Sequence, residues 1–156
     1  MRRILVCAAV ALVPMVGAAV AQQAKAPHIV VTPAELKWGE PPPVFEKGAS
    51  FTVVSGDPGK TGLFVVRLKL PAGYKIAPHW HPTDEHVTVL SGTFALGMGD
   101  KFEKAAMRDL PAGGYALLPA DMSHFVMATT AATVQVEGAG PFVLTYVNPA
   151  DLPSKR

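Results

Sequence analysis

The sequence predicts an all-β protein of one domain, a sandwich or barrel of short strands behind a proline-rich N-terminal arm. Three observations carry the prediction. The chain has 156 residues, enough for one domain with a hydrophobic core and too few for two ordinary ones. After Ser50 the texture becomes short β-type runs split by Gly, Pro and Asp, about eight of them at regular spacing, as sandwiches and barrels require. Within that region only KFEKAAMRDL, residues 101–110, has helical composition.

The N-terminus is set apart first. MRRILVCAAVALVPMVGAAVAQQ opens with Arg2 and Arg3, continues as an uncharged apolar run from Ile4 to Ala21, and closes on Ala19-Val20-Ala21. That is the order of a secretory signal peptide, so residues 1–21 are expected to be cleaved and the mature protein to be periplasmic or secreted. A retained membrane span is disfavoured, because the run barely reaches across a bilayer and Pro14 and Gly17 interrupt it. Of 14 basic and 12 acidic side chains, two arginines leave with the signal, so 14 − 2 = 12 of each sign remain. That balance leaves no basic surface for nucleic acid and no attraction to an anionic membrane. Cys7, the single cysteine, leaves too. The mature chain can form no disulfide, and no thiolate is available to a metal.

Residues 22–50 are rich in proline and poor in periodicity, and are read as an extended arm. Inside it TPAEL has the form of a short helix start, with Thr32 as N-cap, Pro33 next and Glu35 closing a capping box. EPPPVF cannot continue a helix and is expected to lie extended over the domain. The domain itself spans 51–147, followed by a tail, 148–156. FTVV, a turn-rich SGDPGKTG, GLFVVRLKL and PAGY read as strand, connection, strand and turn. EHVTVL and TFALGM flank Ser91-Gly92, a hairpin signal. GYALLP, HFVMA, ATVQVE and PFVLTYV supply four more strands.

The stretch APHWHPTDEHVTVLSG, from Ala77 to Gly92, holds three of the five histidines. On a strand, side chains two apart share a face, so His79 and His81 are neighbours able to reach one cation, and Trp80 points away. Pro82-Thr83-Asp84 reads as a turn, after which Glu85 begins the next strand and can fold back beside the pair. His124 is far away in sequence but opens a strand after a proline turn, as suits a site assembled from several strands. Asp84 is ranked below Glu85, since turn aspartates commonly cap backbone. His86 alternates to the opposite face from Glu85, and His28 lies in the arm.

These residues also carry a family resemblance. Gly73-x5-His79-x-His81-x3-Glu85-x6-Gly92 fits the first motif of the cupin superfamily, and Gly113-x5-Pro119-x-Asp121-x2-His124 resembles the second. Twenty residues lie between Gly92 and Gly113, and the resemblance covers about Phe51 to Val147. The second motif departs from the family at Asp121, where glycine is usual, and at Ala128, where asparagine is usual. Neither position is a ligand in the family, and aspartate tolerates positive φ. The resemblance implies a small jelly-roll β-barrel with one divalent ion (Fe, Mn, Ni, Cu or Zn) held by His79, His81, Glu85 and His124. Such a donor set leaves coordination positions open.

Alternation from His124 turns Val126 and Ala128 inward. The last strand offers either Phe142, Leu144 and Tyr146 or the opposite set. Tyr74, Thr88, Met98 and Tyr146 are candidate pocket groups whose facing the sequence leaves open, while Arg67 and Lys69 share a face with Val65 that is solvated or at an interface. No serine–histidine–acid triad, phosphate loop or nucleotide fingerprint is present. The expected partner is a small organic ligand or substrate. The function classes are a metalloenzyme, with dioxygenase-type oxidoreductase preferred and its catalytic residues unassigned, or a metal-dependent binding or sensing module. A homodimer through sheet faces or the arm is the expected assembly.

Overall fold

The computed structural model describes residues 28–153. The expected signal peptide, the first residues of the arm and the last three of the tail lie outside the described residues.

Ten strands follow in order: β1 (Ser50–Ser55), β2 (Gly62–Leu70), β3 (Lys75–Trp80), β4 (Glu85–Ser91), β5 (Thr93–Met98), β6 (Arg108–Pro111), β7 (Tyr115–Leu118), β8 (His124–Ala128), β9 (Ala132–Gly140) and β10 (Thr145–Tyr146). They form two antiparallel sheets of five, ordered β1-β2-β9-β4-β7 and β10-β3-β8-β5-β6. The sheets close on each other as a jelly-roll barrel, the fold class the sequence predicts. Period-two alternation sets what lies between them. Phe64, Val66, Leu68 and Leu70 of β2 point in, as do Val87 and Val89 of β4 and Val134 and Val136 of β9, and all are buried. Arg67 and Lys69 point out, where Arg67 Nε donates to Gln135 Oε1 (2.8 Å) and Lys69 Nζ lies 4.1 Å from the Trp38 ring centroid.

Two sequence expectations need correction. The strands flanking Ser91-Gly92 are not a hairpin: β4 pairs with β7 and β9, whereas β5 pairs with β6 and β8. Gly92 alone separates them, too little chain for an antiparallel reversal. Its φ of 74° instead turns the chain from one sheet into the other, and a Cβ there would sit 2.1 Å from the Ala131 carbonyl oxygen. The helical candidate 101–110 is also not a helix. It makes one 3-10 turn, Lys104–Ala106, and then joins the second sheet as β6. Tertiary packing overrides its helix-forming composition. Phe102 lies against Phe125 (ring centroids 5.1 Å apart) with Lys75 Nζ 5.2 Å above it, so the loop covers the outer face of the second sheet. Gly97 makes that packing possible, because a Cβ there would meet the Phe125 ring at 2.2 Å.

The arm lies on the barrel. Thr32 donates through both its backbone N–H and its hydroxyl to Glu35 Oε2 (2.6 and 2.8 Å), fixing a 3-10 turn at Pro33–Glu35. Gly39 pairs with Phe51 at the β1 edge. Further on, the Tyr74 hydroxyl donates to the Glu46 carbonyl (2.6 Å) and the Tyr146 hydroxyl to the Val44 carbonyl (2.8 Å). Thus Tyr74 and Tyr146, whose facing was open, spend their hydroxyls on the arm. Thr88 lies on the outward-alternating side of β4, and Met98 is exposed.

Candidate metal centre

The site begins with a bulge. Ile76 pairs with Val126 and His79 with His124, so three steps along β3 match two along β8. One extra residue in a strand reverses its parity, and Ile76 and His79 therefore both face the barrel interior. His81 follows immediately after β3, and Glu85 opens β4 opposite Gly138 and Leu118. His124 opens β8. Its loop is shaped by Asp121, the only non-glycine with positive φ (60°) among the described residues, whose N–H donates to the His81 carbonyl (2.8 Å). Aspartate thus takes a left-handed turn conformation at the position where the resemblance expects glycine. Asp84 is exposed and turned away from the histidines: its Oδ1 accepts from the Ala120 N–H (2.8 Å), pinning the second-motif loop to the first-motif turn. His86 faces outward and meets the Tyr115 hydroxyl (2.7 Å), and His28 is exposed.

His79, His81 and His124 lie together inside the barrel, each offering one ligand atom within 4.8 Å of the others. They are 3%, 3% and 1% exposed, and Glu85 is 8% exposed. Glu85 Oε2 stands 3.4 Å from His81 Nε2 and 3.2 Å from His124 Nε2. The orientation of each ring has a physical cause. His79 Nδ1 contacts the Ala77 carbonyl oxygen (2.8 Å), His81 Nδ1 that of Val143 (2.9 Å) and His124 Nδ1 that of Met122 (3.1 Å). A carbonyl oxygen only accepts, so each Nδ1 carries the proton and each neutral ring presents a bare Nε2. Phe142 stacks on His81 with centroids 4.1 Å apart and planes at 15°, which fixes that ring further.

This arrangement fits a divalent cation. His81 Nε2 and His124 Nε2 are buried without a hydrogen-bond partner, and bare nitrogen lone pairs facing a carboxylate oxygen repel it. A cation among them turns the same geometry into coordination by three imidazoles and one carboxylate. Burial and the neighbouring His124 and His81 push His79 down to about 3, so it stays neutral and able to bind metal near neutral pH. Burial pushes the Glu85 carboxyl up, whereas positive charge at the His124 and His81 rings pulls it below the usual carboxylate range, and a cation bound in the same place would act in the same direction. Positive charge among the donor nitrogens thus favours an ionised Glu85.

The remaining wall is apolar: Leu68, Leu70, Ile76, Val87, Phe94, Leu118, Val126, Val134, Val136 and Leu144 from the barrel, and Phe45 from the arm, around about 40 Å³ of cavity. Val126 faces in as alternation predicts, and Ala128 is fully buried. Of the two sets offered for the last strand, Phe142, Leu144 and Tyr146 face the interior. Sequence reasoning missed Phe45. Its only signal was an aromatic residue closing the proline run EPPPVF.

Two facing antiparallel sheets with a histidine cluster between them define a cupin. The chain belongs to the ChrR cupin-like domain family, which matches residues 26–139. No curated protein matches the chain. Among solved structures, it resembles a candidate acetylacetone dioxygenase from Methylibium petroleiphilum (21% identity, 83% of this chain and 88% of that one, TM-score 0.65). It likewise resembles the polyketide cyclase RemF from Streptomyces resistomycificus (16% identity, 80% and 88%, TM-score 0.65). A third likeness is to KdgF from a Halomonas species (22% identity, 69% and 91%, TM-score 0.56). At these identities the likeness is one of fold.

Proposed function

We propose that this chain is a mononuclear metal-dependent cupin in which His79, His81, Glu85 and His124 hold one divalent ion, Fe, Mn, Ni, Cu or Zn. We further propose that it works as a dioxygenase-type oxidoreductase on a small, partly apolar, oxygenated organic molecule. The observation that carries the reading is the shared orientation of three histidines, each Nδ1 spent on a backbone carbonyl and their ligand atoms gathered beside the Glu85 carboxyl. A bound ion would supply Lewis acidity and open coordination positions for an oxygen-bearing ligand. The chain supplies the rest: the carbonyl clamps orient the donors, the aliphatic wall keeps bulk water out, and no lining group outside the four donors accepts or gives a proton.

That last point also favours a second reading, a binding or sensing module without turnover. Among the described lining residues, none outside the four donors is an acid or a base, so chemistry needing a separate proton donor has none here. The two readings separate on one experiment. Mature protein reconstituted with each of the five metals is offered acetylacetone, chosen from the Methylibium relative, and dioxygen uptake and products are followed. Turnover with one metal, lost in His81→Ala, supports the enzyme. A ligand recovered unchanged at one equivalent per chain, with no product, supports the binding module. A reconstituted site that stays closed to azide and nitric oxide refutes both. The N-terminal pattern supports export to the periplasm, which fractionation of cells expressing the full chain tests.

A further inference from the structure

The donors are almost wholly buried in about 40 Å³ of cavity, space for a few water molecules and not for an organic substrate. Some part of the wall must yield. Most of it cannot yield cheaply, because Leu68, Leu70, Val87, Val134 and Val136 sit on strands bonded on both sides. Leu144 is also fixed: the neighbouring Val143 carbonyl holds His81, and the Phe142 ring stacks on it. Phe45 differs on each count. It belongs to neither sheet, it is only half-buried, and it closes a cavity whose other walls belong to the barrel. The carbonyls on either side of it, Val44 and Glu46, accept from the two tyrosine hydroxyls. Burial and nearby Tyr146 hold the Tyr74 phenol above its ordinary range, so it stays a donor.

We infer that Phe45 is the specificity-determining wall of the pocket: in place it admits only ligands of a few heavy atoms, and larger ones enter by displacing it with the strap, residues 42–48. This inference rests on the metal-centred reading for its consequence, but its geometry does not. Opening the strap breaks these two hydroxyl–carbonyl bonds and exposes the Phe45 ring, while the Ala77, Val143 and Met122 carbonyls that orient the donor histidines lie outside it. The strap therefore sorts ligands by size without disturbing the site.

The test uses the mature chain and its Phe45→Ala variant, each loaded with Co(II) and titrated with azide and with benzoate through the Co(II) absorption bands. Benzoate affinity should rise at least tenfold in Phe45→Ala, with azide affinity unchanged within twofold. Equal benzoate affinity in both would overturn the inference. A metal-free arm separates this from failure of the metal reading, since dry apolar cavities on the order of 150 Å³ take up benzene. Benzene should protect metal-free Phe45→Ala against heat and leave the parent unaffected. Benzene protection that is the same in both would overturn the inference, whether or not cobalt binds. If Phe45→Ala does not fold, Phe45→Leu replaces it with the same expected directions. In the double variant Tyr74→Phe with Tyr146→Phe, which frees the strap and keeps Phe45, benzoate should bind faster. An unchanged rate there would refute the strap as the moving part.

Discussion

Acidifying the metal-free protein should destabilise it in a pH range set by His79. The buried ring titrates at about 3, against an ordinary value of 6.5 in the unfolded chain. Its folded pKa is depressed, so the unfolded state binds the proton more readily, and stability is full above about pH 6.5 and falls as pH drops toward about 3. Each full unit below the unfolded value costs about 1.4 kcal/mol for one proton, and less in the first unit, where the unfolded ring is only partly protonated, so moving from about pH 6.5 to about pH 4.5 should cost about 2 kcal/mol through this ring. Glu85 is also depressed and adds a loss of the same sign, confined to pH values below the ordinary carboxylate range. Urea midpoints at several pH values, without metal, measure the effect. His79→Gln keeps a polar side chain of similar length but does not titrate, so its midpoint should be flatter across this range. A parent midpoint that does not move, or an identical slope in His79→Gln, would refute the reasoning.

Other predictions concern the supports of the site. Asp84→Ala removes the acceptor of the Ala120 N–H, and should cost about 1 kcal/mol and weaken metal affinity through His124, read by competition with a chelator. Asp121→Val puts a β-branched residue at φ 60° and should cost about 1–2 kcal/mol, seen as a lower urea midpoint. Gly97→Ala drives a methyl into the Phe125 ring and should cost about 1–3 kcal/mol, with near-ultraviolet circular dichroism reporting the disturbed aromatic packing.

Much of this architecture was legible in the residues because alternation and motif spacing are local. GLFVVRLKL became β2 at the expected bounds, and HFVMA became β8. The four proposed donors were named from spacing and resemblance, and the three histidines do converge. What escaped depends on contacts distant in sequence. The β3 bulge is set by pairing with β8, and simple alternation from Ile76 would have turned His79 outward. The sheet change at Gly92 and the strand β6 depend on closure of the barrel, which no short window contains. Phe45 meets the pocket across a chain separation of more than twenty residues from any other lining group, so nothing local marks it. Asp121 shows the opposite case, where a departure from a motif could be judged correctly from backbone preference alone.

The central claim, that the three histidines and Glu85 form one metal site, is tested most directly by metal stoichiometry and Co(II) spectroscopy on the mature protein. Parent protein should bind one equivalent per chain with bands of a mixed nitrogen–oxygen site, and thermal stability should rise with metal concentration by mass action. His81→Ala and His124→Ala should lose both the bands and the stabilisation. Metal binding that is absent from the parent, or that survives unchanged in both variants, would contradict the account.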